Sequence, residues 1–354
     1  MQSQPTPNDL ALMRRAIELS RQGFPAPNPH VGCVVAQGRQ VVGEGFHHFA
    51  GGPHAEAVAL EQAGMHAAGS SVYVTLEPCN HQGRTPPCSR ALVEAKVRKV
   101  FVAVSDPNPT AAGGAKTLRE HGIEVIEGFL TEEARSANLM WLTAIERGSP
   151  FLVVKVASSL DGRIATQSGE SKWITGELAR RAGQALRAEC GAVLVGRATV
   201  QLDHPRLTVR DFEVVNQPRK IILDPWRKLP QKHEIFSENA IRVVAGEARE
   251  GELKVATNRA KFELDDLLHK LFDLGITSVL VEGGAKTISH FISEDCFDRL
   301  ELFVSGKIIG TGKNWLDLPL AGPLRDRPHL QFRQVEAVGE DLRIGLTSTR
   351  TRKI

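Results

Sequence analysis

Two thiols and an imidazole, Cys79, Cys88 and His54, together with Glu56 two residues beyond the histidine, are the groups whose types and spacing best suit chemistry. They lie in the segments "PHAEAVAL" and "TLEPCNHQGRTPPC". One ring nitrogen and two sulfurs suit zinc with one coordination position left open, and three protein ligands point to catalysis. On a helix, residues two apart diverge, so Glu56 can stand beside a cation held by His54 without ligating it. Zinc lowers the pKa of bound water to about 7, and a neighbouring carboxylate can pass the released proton to a leaving amine. The expected reaction is hydrolytic deamination. A plainer reading makes the same groups a closed zinc knot or ordinary buried residues, although a fourth close ligand is not evident in the sequence.

Such groups need elements to hold them. "GGPHAEAVALEQAG" opens with glycine and proline and closes on Gly64, which predicts a helix over 54–63 with His54 in its first turn. "SVYVTLEP" predicts a buried strand, and "PCSRALVEAKV" a helix with Pro87 near its first position, so Cys88 stands at a helix start. The positive end of a helix dipole favours a thiolate there. Around them the pattern predicts a helix over 8–23 capped by Asn8 or Asp9, a hairpin over 31–47, strands "KVFVAVSD" and "IEVIEG", and helices near 116–121 and over 131–147. Alternating strands and helices imply an α/β layer structure.

"ERGSPF" at 146–151 interrupts with glycine and proline, so the domains are expected to be 1–148 and 149–354. The second part begins again with strand "FLVVKVA", loop "SSLDGRIATQSGESKW" and a helix over 176–189. Strands "GAVLVG", "KIILD" and "AIRVVAG", a helix over 264–274, strand "SVLVEGG", helix "AKTISHFISE", strand "RLELFVSGKII" and a β-rich tail follow. Residues 225–260 show no clear period. In "VLVEGGAKTISHF" a strand runs through two glycines into a helix whose free N–H groups can cradle a phosphate. A tight turn explains it equally, because there is no G-x-G-x-x-G fingerprint.

Composition narrows the class. Hydrophobic residues at 42% and charged ones at 24% are ordinary for a globular chain and argue against disorder. No apolar stretch is long enough to span a bilayer and the polar start lacks the order of a secretory signal, so no membrane partner and a cytoplasmic location are expected. Five cysteines in a reducing compartment argue against disulfides, and Cys33, Cys190 and Cys296 are expected in cores. With 44 basic against 41 acidic residues and 5% aromatics, nucleic acid is not an expected partner. Sheet edges in such folds are often paired, which predicts a homo-oligomer, dimer or tetramer.

"PHAEAVAL" with "TLEPCNHQGRTPPC" resembles the cytidine-deaminase superfamily, whose signature is H-x-E…P-C-x-x-C. Eight residues separate Cys79 from Cys88 where the general pattern has two. This widened form is similar to the deaminase half of bifunctional riboflavin-pathway deaminase/reductases. The resemblance implies an N-terminal cytidine-deaminase-like α/β/α layer domain and a phosphorylated pyrimidine as substrate. It implies substrate contacts at Asn28 in "NPHVG", at His47, and at Arg84 and His81 in the widened loop.

In the second part, "KVASSLDGRIA", "SGESKWIT", "LRAECGAVLVGRATV", "DHPRLTVR" and "VEGGAKT" resemble the dihydrofolate-reductase-like α/β half of the same enzymes. By motif position the resemblance implies NADPH contacts at Ala157, Trp173, Thr199, Asp203 and Gly284. It implies substrate contacts at Ser171, Arg187, Leu207, Arg210 and Glu282, the two arginines suiting a phosphate. Leu202, His204 and Pro225 depart from the commoner pattern. Lys155 and Asp161 lie in matching segments, and the sequence does not choose between them as proton donor. The implied chemistry is zinc-dependent deamination of 2,5-diamino-6-ribosylamino-4(3H)-pyrimidinone 5′-phosphate, then NADPH-dependent reduction of its ribosyl to a ribityl chain. The rival readings are a nucleoside or RNA-base editor with a binding module, and a non-enzymatic protein with structural zinc.

Overall fold

A computed structural model describes residues 5–82, 86–237, 239–318 and 329–348. The chain divides into two compact units, residues 1–147 and 148–354. The first runs α1 (Pro7–Ser20), β1 (Gly32–Gln37), β2 (Gln40–Phe46), α2 (Ala55–Ala63), β3 (Ser71–Leu76), α3 (Cys88–Glu94), β4 (Lys99–Val104), α4 (Gly114–Glu120), β5 (Glu124–Glu127), α5 (Thr131–Ala137) and α6 (Leu139–Arg147). Its five-stranded sheet has the order β2-β1-β3-β4-β5. β1 is antiparallel to both neighbours, and β3, β4 and β5 are parallel. The β-branched and aromatic runs "SVYVTL" and "KVFVAV" form β3 and β4, buried on both faces as central parallel strands are. Tyr73 of β3 stacks on Phe101 of β4 with ring centroids 4.7 Å apart.

Five boundaries differ from the sequence expectation. Thr6, not Asn8 or Asp9, caps α1; Asp9 is the reciprocal partner of that capping box, and the helix ends at Ser20, short of Gly23. His54 has extended φ and ψ and is the N-cap of α2, not part of its first turn. α4 begins at Gly114, ahead of residue 116. The helix expected over 131–147 is broken at Asn138, whose side-chain oxygen accepts from the His30 N–H at 3.0 Å. An asparagine that bonds backbone elsewhere competes with helix continuation, and hydrophobic periodicity does not register it.

The position of α2 matters most for chemistry, because it carries Glu56 and begins beside His54. Glycines in "VVGEGF" let β2 lie bare against it: a Cβ at Gly45 would stand 2.3 Å from the Ala55 carbonyl oxygen, and one at Gly43 2.1 Å from that of Ala59.

The second unit runs β6 (Phe151–Ser158), β7 (Arg163–Thr166), α7 (Glu177–Glu189), β8 (Ala192–Gly196), α8 (Arg197–Asp203), β9 (Arg219–Leu223), β10 (Ala240–Val244), β11 (Glu252–Lys254), β12 (Thr257–Asn258), β13 (Lys261–Phe262), α9 (Leu264–Asp273), β14 (Ser278–Val281), α10 (Ala285–Ser293), β15 (Arg299–Val304), β16 (Gly312–Asn314), β17 (Leu330–Val338) and β18 (Asp341–Ser348). Its main sheet has nine strands in the order β11-β10-β9-β8-β14-β6-β15-β18-β17. The strands from β11 to β15 are parallel, and the C-terminal hairpin of β17 and β18 adds an antiparallel edge. β7 lies in a segment expected to be loop, and α8 in one to which the sequence pattern assigned no element. Cys33, Cys190 and Cys296 are buried, as expected of core residues.

Gly45→Ala is expected to push α2 away from β2 and to lower the stability of the first unit by about 1–3 kcal/mol, as overpacking does. Urea unfolding of the variant beside the parent checks this; an unchanged midpoint would contradict the close approach.

Candidate active site

Three elements bring the first set of donors together. His54 caps α2, Cys79 follows the end of β3, and Cys88 opens α3. His54 Nδ1 lies 3.2 Å from Cys88 Sγ and 3.5 Å from Cys79 Sγ, and the three donor atoms fall within 4.8 Å of one another. Zinc–nitrogen and zinc–sulfur bonds at tetrahedral angles separate such donors by about 3.6 Å, so the set fits one zinc ion. It is the one His/Cys/Asp/Glu cluster of this kind among the described residues.

The electrostatics suit that use. A hydrogen bond from the Cys88 thiol, with others from His54 and the Cys88 backbone N–H, holds the Cys79 thiol down to about 4. The same contact and burial push the Cys88 thiol up. Glu56 is 3% exposed, and burial raises its carboxyl to about 7, poised to take and give a proton near neutrality. The His47 ring accepts from Asn28 at Nε2, 3.0 Å away, while its Nδ1–H donates to the Pro53 carbonyl at 2.9 Å. Burial holds His47 below the usual imidazole pKa, which favours this neutral tautomer. Asn28 and His47 are therefore brought together, with the His47 ring 5.4 Å from that of His54. His81 is exposed, and Arg84 lies outside the described residues.

Sequence reasoning missed two acidic residues here. Glu77, at the end of β3, binds backbone across to the loop after β4, and Asp106 lies in that loop. Burial raises the Asp106 carboxyl to about 6, helped by Glu77 and Cys79. The available signal was positional: both follow the C-terminal ends of parallel strands, where open α/β sheets place their ligands.

The second unit repeats that placement. Ala157 is the last residue but one of β6, Thr199 and Asp203 lie on α8 after β8, Glu282 follows β14, and Gly284 is the N-cap of α10. The Gly284 N–H donates to Thr199 Oγ1 at 3.1 Å. Arg187 and Glu282, expected as separate contacts, form one ion pair: Nε and Nη2 donate to the carboxylate, the shortest contact being 2.5 Å. Arg187 Nη1 donates to the Thr208 carbonyl at 3.1 Å, so three of its five N–H donors are engaged. One turn earlier, Gln184 accepts from the Arg210 N–H at 3.0 Å. α7 thus holds the loop that carries Arg210 and Leu207, the latter buried with φ at 56°.

Ser171 and Trp173 share the loop before α7; Trp173 is 60% exposed, with the Arg180 guanidinium 4.7 Å from its ring. Lys172 Nζ donates to the Asp203 carbonyl at 3.3 Å. The two groups left undecided by sequence separate here. Asp161 accepts from Ser159 Oγ, Ile309 N and Gly310 N, which hold it down to about 2, so it is ionised and no proton donor at neutral pH. Lys155 is desolvated, which holds its ammonium below the usual value although Glu282 opposes this. Burial pushes Glu282 up, and Arg187 and Lys155 more than reverse it.

A zinc-type cluster on one α/β unit and polar groups gathered at the strand ends of another fit a two-activity enzyme of the deaminase/reductase class. Comparisons with known proteins agree. Residues 6–104 match the family described as the cytidine and deoxycytidylate deaminase zinc-binding region, and residues 150–344 match the RibD C-terminal domain. The riboflavin biosynthesis protein RibD of Aquifex aeolicus is 41% identical over 94% of this chain and 97% of its own length. That of Escherichia coli K12 is 37% identical over 93% and 96%. Among solved structures, Acinetobacter baumannii RibD superposes with a TM-score of 0.87 at 39% identity, covering 97% of this chain and 99% of that one. The Thermotoga maritima deaminase/reductase gives 0.83 at 36% identity, covering 96% and 98%. The chain belongs to the RibD family, the bifunctional deaminase/reductases of riboflavin biosynthesis, which use zinc and NADPH.

The purified protein is expected to carry one zinc per chain by elemental analysis, and Cys79→Ser to weaken retention against a chelator by about tenfold or more. Equal retention in variant and parent would remove Cys79 from the ligand set.

Proposed function

We propose that the first unit hydrolyses the amine from 2,5-diamino-6-ribosylamino-4(3H)-pyrimidinone 5′-phosphate and that the second reduces the ribosyl group of the product to ribityl. The observation that carries this reading is the convergence of three zinc donors beside a buried carboxyl poised near neutrality. The Thermotoga maritima relative is named for the same pair of activities.

His54, Cys79 and Cys88 hold the zinc, which when bound supplies the acidity that makes water nucleophilic at neutral pH. Glu56 takes the proton of the attacking water and returns it to the departing amine. Asn28 and His47 orient the ring, the hydrogen bond between them fixing the imidazole tautomer. Arg84 meets the substrate from the widened loop between the cysteines.

In the second unit Ala157, Trp173, Thr199, Asp203 and Gly284 hold NADPH, which supplies the hydride. The donor set fits: a helix start backed by Thr199 and an exposed indole offer N–H groups and a stacking face. Ser171, Leu207, Arg210, Arg187 and Glu282 hold the phosphorylated substrate. Arg187 stays paired with Glu282 and offers its remaining donors. Lys155, beside that pair, is the group in position to move a proton.

No helix among the described residues is long and apolar enough to cross a membrane, and the enzyme works in the cytoplasm. It assembles as a homo-oligomer through β17, a nine-residue edge strand that leaves Phe332 and Val335 exposed at 68% and 59%.

Glu56→Gln is expected to keep its zinc and to lose deamination by about 10²–10⁴-fold, the usual worth of a general acid–base. Hydride transfer to the deaminated substrate should continue at the parent rate, followed by NADPH absorbance. Loss of both activities would contradict two separate sites.

A further inference from the structure

We propose that Glu77 is a positioning residue for the deaminase: it clamps both ends of the loop at 105–113 and so sets one wall of the site against the zinc ligand Cys79. β3 and β4 run parallel with Leu76 opposite Val104, so the segments leaving their C-terminal ends lie side by side. Glu77, 8% exposed, is the first residue after β3, and its N–H donates to the Val104 carbonyl at 2.8 Å. Its carboxylate accepts from three backbone N–H groups, Asp106 at 3.1 Å, Gly113 at 3.1 Å and Ala115 at 3.0 Å. One donor lies at the start of the loop, one at its last residue and one just beyond it, in the first turn of α4.

That loop faces the metal ligands. The Asn80 N–H, next to Cys79, donates to the Ala111 carbonyl at 2.9 Å, and Asn80 Oδ1 accepts from Ser89 Oγ, next to Cys88, at 2.8 Å. Asp106 accepts from the Asn108 N–H at 2.8 Å. The approach is too close for any side chain at Gly114, where a Cβ would stand 1.8 Å from the Pro78 carbonyl oxygen. Three converging donors require an acceptor-only group, which a carboxylate is and an amide is not. Glu77 touches no reacting atom; it acts through the loop and through its neighbour but one, Cys79.

The test is Glu77→Gln in the full-length chain, with zinc content, amide exchange of residues 105–116 by mass spectrometry, and deaminase kinetics on the diamino substrate. Deamination by the parent chain is the control for the functional reading on which the proposal rests. The expected result is faster exchange in that segment and a KM raised about tenfold with kcat within about threefold, zinc staying at one per chain. Glu77→Asp keeps an acceptor-only group at shorter reach and should show the same changes at about a third of the size; it decides the matter if the glutamine variant does not fold. Unchanged exchange and KM, or zinc and kcat falling together at constant KM, would overturn the proposal.

Discussion

Two sulfurs and a ring nitrogen within 4.8 Å of one another form a nucleophilic cluster that is most stable around a cation, and the first unit is arranged to keep them there. Each donor sits at the end of an element where little backbone remains to move it: an extended helix cap, the exit of a central strand, the first residue of a helix. The Cys79 thiolate is favoured before any metal enters, because an N–H, a thiol and an imidazole all point hydrogen at its sulfur. Glu56 shares the site but not the cation, since it lies inside the helix that His54 only begins. The separation of the imidazole from the carboxyl therefore arises where an extended cap meets the helix it begins.

Both units solve the problem of placing polar groups in the same way. Parallel strands release loops at one sheet edge, and neighbouring strands bring distant sequence side by side: Glu77 beside Asp106 in one unit, Thr199 beside Gly284 in the other. The second site differs in electrostatics. Lys155, Arg187 and Arg210 surround a single carboxylate, Glu282, and this excess of positive charge suits a phosphorylated ligand, while the half-buried ion pair keeps the arginine from swinging away.

The cluster of His54, Cys79 and Cys88, with Glu56 near it, was legible because few roles need a histidine, two cysteines and an offset carboxylate, and the fold brings the three donors together. Strands such as "SVYVTL" and "KVFVAV" were legible from β-branched runs. What stayed hidden depends on contacts between distant segments. The break at Asn138 comes from a bond to the backbone of His30, and the pairing of Arg187 with Glu282 joins residues 95 apart. Residues 225–260 gave no period because they form strands of two to five residues, too short for alternation to register. Glu77 was passed over because a glutamate before "PC" looks like an ordinary strand end until its three backbone partners are seen.

X-ray absorption at the zinc edge of the purified protein tests the central claim most directly. The account predicts one nitrogen at about 2.0–2.1 Å, two sulfurs at about 2.3 Å and one further light atom that exchanges with solvent. Four protein donors, or fewer than two sulfurs, around the metal would contradict it.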